Sequence, residues 1–368
     1  ILSKELYANW ATISPDATYV VDIGVSCCGN IELPKRPARK DGETDEHYSM
    51  REKRWTENFN TAYMAWDEIK IQREEEIERF VSNYNGKIME LADGTSEISD
   101  LPDSFSARLR ISGRCLLDLV LNFAYIFEVS EAETITMGYA PQNKDNLIET
   151  VHIMAPTQSA PIICVMDSGI QEEHKYLAPA ISSDESLSLL PNNTGTSDEV
   201  AGGGHGTRVA GAVLYPNAVP SNGVYQLPCW IRNMRILDKN NCLPENVYPP
   251  KAIAIAVQKY NAENQFPTKI FNHSIGSRRA CEMKHMTPWA AEIDNQSYNH
   301  DVLFIQAAGN ISTDIISAYW QAGYPYPKYL DRELCRISNP AQSLQAITVG
   351  SVSADELETD DFIALGKH

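Results

Sequence analysis

The sequence predicts an α/β protein: a three-layer, doubly wound parallel sheet, preceded by an N-terminal α+β domain of ferredoxin-like pattern. Three observations carry this. From Pro161 onward, short apolar runs alternate with helix-like segments, the mark of parallel strands covered on both faces. Residues 1–132 read strand, helix, strand, strand, helix, strand, the split βαβ order. Asp167, Ser274 and Asn310 each fall at or just past the end of an apolar run, and in such sheets chemistry collects at strand carboxyl ends.

In the first domain, Thr18–Ser26 reads as a strand. Residues 30–56 are polar and rich in Pro, Lys and Arg, which predicts a loop. Thr61–Tyr84 predicts a helix, with an apolar stripe from Ala62, Ala65, Trp66, Ile69, Ile77, Phe80 and Val81 and a solvated charged face over Arg73–Arg79. Lys87–Ala92 and Ser104–Ile111 read as strands, Gly113–Ala124 as a helix and Tyr125–Val129 as a strand. Residues 133–160 are a connector.

The second domain is expected over 161–368. Ile162–Met166 is a continuous apolar run closed by Asp167-Ser168-Gly169. A glycine run, Gly202-Gly203-Gly204, leads into His205 and a small, apolar helix over Thr207–Leu214. Arg235–Leu237 ends a short strand, and Lys251–Ala262 and Trp289–Tyr298 are helices. Lys269–Asn272, Val302–Ala307 and Ala346–Gly350 complete the strands.

The net charge of −18, from 31 basic and 49 acidic residues, disfavours nucleic acid and anionic membranes as partners. No apolar run has the length of a membrane span. Starting at Ile1, the chain reads as a fragment or a processed form. Eight scattered cysteines lack zinc spacing; an even count permits disulfides, but buried free thiols fit better. No metal and no cofactor are expected. Gly202–Gly204 lacks the Lys-Ser/Thr of a phosphate loop.

His205, fixed at the start of a buried helix, is a candidate general base. Such a base needs a buried carboxylate to set its tautomer, and Asp167 is the candidate. Acyl transfer also needs a donor for the oxyanion, and the side chain of Asn310, at the Gly309-Asn310 corner, is placed to be one.

Together these residues resemble the subtilisin-like serine peptidases, the subtilases. The resemblance rests on Ile163–Ile170, His205–Gly211, Phe271–Gly276 and Ala307–Asn310, with Asn339-Pro340-Ala341 and Ile347–Gly350 downstream. It covers residues 161–353. It implies that Asp167 orients His205, that Asn310 binds the oxyanion, and that Ser274, Ile275 and Gly276 pair by backbone with an extended polypeptide substrate. It also implies a cis peptide at Asn339–Pro340. The acidic charge and the appended domain look like a bacterial intracellular, hence cytoplasmic, group often paired with an AAA-type ATPase. The N-terminal domain is either an inhibitory or chaperoning propeptide or a docking domain. The family's nucleophile, in a Gly-Thr-Ser-x-Ala-x-Pro sequence after the oxyanion box, does not occur after Asn310 and is expected beyond residue 368, so the resemblance implies a 161–368 domain that is truncated, incomplete at its C-terminal end. Gly94-Thr95-Ser96 and Gly195-Thr196-Ser197 precede His205 and are read as decoys. The expectation is a serine endopeptidase whose present chain has negligible activity alone. The alternative is a catalytically silent binding or regulatory module.

Overall fold

The computed structural model describes residues 1–27, 33–91, 94–133, 151–202, 204–217, 219–283 and 285–351, and the backbone of Glu356–Glu358 and Ile363–Leu365. It divides into two compact units, Ile1–Ala132 and Glu133–His368. Of the expected connector, residues 134–150 lie outside the described residues.

The first unit runs β1 (Thr18–Ser26), α1 (Asp45–Ser82), β2 (Ile98–Leu101), β3 (Ser104–Ser112), α2 (Gly113–Asn122) and β4 (Ile126–Glu131). β1 lies between β3 and β4, antiparallel to both, and β2 and the short strand Lys87–Ile88 pair with β3. This is the ferredoxin-like order. Alternate residues of β1 (Val21, Ile23, Val25) and β3 (Phe105, Ala107, Leu109, Ile111) form the core with Ile77 and Val81 of α1 and Leu116 and Leu119 of α2. The intervening Asp22 and Arg108 are directly opposite one another and form a buried bidentate pair, Nε–Oδ1 2.6 Å and Nη2–Oδ2 2.8 Å.

α1 begins at Asp45, inside the stretch expected to be a loop. Thr44 caps it, its hydroxyl accepting the His47 N–H at 3.4 Å, and Asp45 and Glu46 oppose the helix dipole. The buried residues of this helix, Trp66, Ile77 and Val81, all lie in its later part. Its first turns instead carry ion pairs, Arg51 to Glu43 and Arg36 to Glu52, and so lack the apolar period that betrays a helix.

The second unit contains β5 (Ile162–Asp167), β6 (Leu187–Ser188), α3 (His205–Leu214), β7 (Trp230–Arg235), α4 (Pro249–Val257), β8 (Ile270–His273), α5 (Pro288–His300), β9 (Leu303–Ala307), α6 (Thr313–Gln321) and β10 (Ile347–Val349). Six strands form one parallel sheet in the order β10-β9-β8-β5-β7-β6. Strand order reverses at β5, with β7 and β6 on one side and β8, β9 and β10 on the other. That is the switch point of a doubly wound sheet. Alternation along β5 serves both faces. Cys164 and Met166 enter a core with Phe271, Phe304, Val257 and Ile293. Val165, with Ile163 beside it, enters the opposite core with Ala210 and Leu214 of α3. Asp167 shares the parity of Ile163 and Val165, and so points to the side that carries α3.

β7, which the sequence marks only by its end at Arg235–Leu237, runs from Trp230 to Arg235 and is not an apolar run. Its buried Arg232 is satisfied by Glu185 (2.9 Å), Asn264 (3.0 Å), Thr268 (2.9 Å) and the Tyr260 carbonyl (2.9 Å). Val151–Met154, expected to be connector, pairs in parallel with Gly223–Gln226. The Asn339–Pro340 peptide is cis, as the sequence predicts. No described helix is long and apolar enough to cross a membrane.

Candidate active site

The site is built at the carboxyl ends of β5, β8 and β9. Val165 is level with Asn272, and Asn272 with Ile305. Two residues further on, Asp167, Ser274 and Ala307 therefore stand on one edge of the sheet. α3 delivers His205 to the same place. The His205 Nδ1 lies 2.7 Å from Asp167 Oδ1, which also accepts the Ser168 N–H at 2.7 Å. The Asp167 side chain is 1% exposed and that of His205 is 24% exposed, so the carboxylate is sealed while the ring still meets solvent. With Nδ1–H donated to Asp167, Nε2 is the basic nitrogen. Burial alone pulls the His205 pKa down, but the hydrogen bond and charge of Asp167, with the charge of Asp198, outweigh it and hold the pKa above its ordinary value.

Asp198 and Ser168 hold the start of α3. Asp198 Oδ2 accepts the Thr207 N–H (2.9 Å) and hydroxyl (3.0 Å), and its Oδ1 accepts Ser168 Oγ (3.0 Å) and the Val200 N–H (3.1 Å). Ser168 Oγ in turn accepts the Gly206 N–H at 3.0 Å. Gly204, at φ +75°, is the N-cap and offers no side chain; a Cβ there would lie 2.0 Å from Asp198 Oδ2. The glycine thus admits a carboxylate from another loop as the cap. Neither Asp198 nor Ser168 stands out in sequence. The one available signal is an acidic residue in a polar loop before the glycine run.

Asn310 lies at an exposed corner beyond β9, and its side chain makes no hydrogen bond among the described residues. The corner turns at Gly309, φ +102°, where a Cβ would sit 2.1 Å from Ser338 Oγ. Past β8, Ile275 is buried and its carbonyl accepts Gln306 Nε2 at 2.8 Å. The backbone groups of Ser274 and Gly276 on either side make no hydrogen bond among the described residues. That alternation is what a strand edge offers to an added strand. The neighbouring His273 is fully buried against Gln306, and burial pulls its pKa down to about 4, so it is neutral and not a second base.

Of the Gly-Thr-Ser tripeptides, the one at Gly195 braces the Asp167 turn. Its Thr196 carbonyl accepts the Ile170 N–H (3.1 Å) and Asn233 Nδ2 (2.9 Å). Ser197 is exposed and is not hydrogen-bonded to His205. No group of His, Cys, Asp and Glu among the described residues has the arrangement of a metal site.

A partly exposed imidazole thus stands against a sealed carboxylate at the switch point of a doubly wound sheet. Residues 158–366 match the subtilase family of peptidases, and the chain belongs to that family. Among curated proteins, it is 32% identical over 113 residues to an uncharacterized protein of Sinorhizobium fredii, a stretch covering 30% of this chain and 26% of that protein. Among solved structures, it is similar to a serine-to-alanine mutant of the epidermin leader peptide processing serine protease of Staphylococcus aureus. There the identity is 13% and the TM-score 0.47, over 92% of this chain and 71% of that one. A psychrophilic subtilisin-like protease of an Antarctic Pseudoalteromonas is 20% identical with a TM-score of 0.35, over 52% of this chain and 36% of that one.

Proposed function

We propose that this chain is part of a serine endopeptidase that hydrolyses peptide bonds with an Asp167–His205–Ser triad, the serine lying in sequence that follows residue 368. The observation that carries the reading is the 2.7 Å contact between His205 Nδ1 and the sealed carboxylate of Asp167. His205 Nε2 takes the serine proton as the hydroxyl attacks the peptide carbonyl, and returns it to the leaving amine. Asp167 keeps the tautomer and stabilises the imidazolium. Asn310 Nδ2 donates to the oxyanion. Ser274 and Gly276 pair with the substrate backbone as it lies along the strand edge. A cytoplasmic setting and an AAA-type ATPase partner go with this reading, supported by the acidic charge and the sequence resemblance.

The test is fluorophosphonate labelling of the natural full-length protein, read by peptide mapping. An adduct on a single serine beyond position 368, lost in His205→Ala, supports the triad. Labelling that persists in His205→Ala refutes the triad, and a folded protein that takes no adduct, with or without residues 1–132, leaves the silent binding module.

A further inference from the structure

Glu133, the first residue of the second unit, places its carboxylate between two donors beside the candidate active site. Asn339 Nδ2 donates to Oε1 at 2.8 Å, and the hydroxyl of Ser277 donates to Oε2. Both donors are built in. Asn339 is 3% exposed and Ser277 is 5% exposed. Asn339 Oδ1 accepts the hydroxyl of Thr287, which turns the amide so that Nδ2 faces Glu133. The Ser277 hydroxyl accepts the Arg279 N–H at 3.0 Å, which leaves its proton for the carboxylate. The two segments are clamped to each other: Ser277 N–H donates to the Asn339 carbonyl (2.7 Å) and Cys281 N–H to that of Ile337 (2.9 Å). The same two segments include Arg278, Arg279 and Arg336.

This receptor adjoins both substrate-facing elements. Ser277 directly follows Ser274-Ile275-Gly276, and Ser338, next to Asn339, packs under Gly309 and donates its N–H to the Ala308 carbonyl at 2.9 Å. A side chain seated here therefore lies between the segment that leaves the strand edge and the segment packed under the Gly309-Asn310 corner. We propose that Ser277 and Asn339 form the specificity pocket for an acidic side chain on the acyl side of the scissile bond, and that Glu133 shows how that side chain is held. The inference rests on the peptidase reading for its place in the reaction. Its chemistry is two hydrogen-bond donors with no acceptor facing the ligand among the described residues, which favour a carboxylate, tolerate an amide less well and reject an ammonium.

The test is fluorescence anisotropy with the full 368-residue chain carrying Glu133→Ala, which vacates the pocket. The probes are N-terminally labelled pentapeptides ending in Glu, Gln, Leu or Lys. The Glu peptide is expected to bind at least about tenfold tighter than the Leu and Lys peptides, the gain of charge-assisted hydrogen bonds. Adding Ser277→Ala or Asn339→Ala should remove that preference. With Glu133 intact, the Glu peptide should bind about tenfold more weakly. Equal affinities, a preference for Lys, a Glu preference that survives both substitutions, or no binding of any peptide overturns the proposal. The serine labelling described above is independent of these residues. A labelled serine with an indifferent peptide profile sinks the pocket and leaves the peptidase standing.

Discussion

Replacing Asp198 by alanine should loosen α3 at the turn that carries His205. The carboxylate accepts four hydrogen bonds, from Ser168 Oγ, Val200 N, Thr207 N and Thr207 Oγ1, at 2.9 to 3.1 Å. The two hydroxyls can turn to other acceptors, but the two backbone N–H groups cannot. At about 1.5 kcal/mol for each N–H that loses a charged acceptor, the cost is about 3 kcal/mol. Hydrogen–deuterium exchange of the His205–Leu214 helix reads this locally, because 3 kcal/mol of opening free energy is about a hundredfold in protection. Peptides from Ser104–Ser112, in the other unit, serve as the control and should not change. Asp198 also helps to hold the His205 pKa up, so the same variant should lower it. A change in helix protection below about threefold, or an equal change in the control strand, would refute the capping role.

Asn310→Ala in the full-length enzyme should lower turnover by about a hundredfold or more with little change in substrate affinity, a magnitude taken from subtilisin, a relative, rather than from this structure; a fall confined to affinity would assign Asn310 to binding. Phe271→Ala removes a fully buried ring stacked 5.1 Å from Phe304, so urea unfolding of the second unit should lose about 4 kcal/mol, and a loss below about 1 kcal/mol would contradict the packing described. Burial holds His273 neutral down to about pH 4, whereas the unfolded chain binds that proton below about 6.5. The folded state therefore loses stability as pH falls through that window, by about 3 kcal/mol in full, and no change arises from this group above it. His273→Gln should flatten the profile between pH 6.5 and 4, and an unchanged profile would show that another group controls it.

The parts of the site that chemistry alone demands were legible in the sequence. Asp167 ends a run that is otherwise apolar, and His205 opens a helix of small residues; both break a pattern, and both stand where expected. Register made the rest of that edge readable, since parallel strands align their ends and bring Ser274 and Ala307 to one side with Asp167. What escaped has no local pattern to break. Asp198 sits among Thr, Ser and Glu in a loop, and its role depends on a glycine N-cap that has no side chain of its own. Glu133 is one acid among 49, and its partners come from segments more than a hundred residues away. Val151–Met154 and Gly223–Gln226 pair across some seventy residues, a contact that no short window encodes. The start of α1 was hidden because capping and ion pairs hold it, not an apolar stripe.

The claim on which the account turns is that Asp167 holds His205 as the base. Titration of the His205 ring protons by NMR, in the unaltered chain and in Asp167→Asn, tests it most directly. In the unaltered chain the pKa should lie above the ordinary histidine value. In Asp167→Asn it should fall, because burial is then opposed only by the weaker charge of Asp198. A His205 pKa that is not raised, or that does not move when Asp167 is replaced, would contradict it.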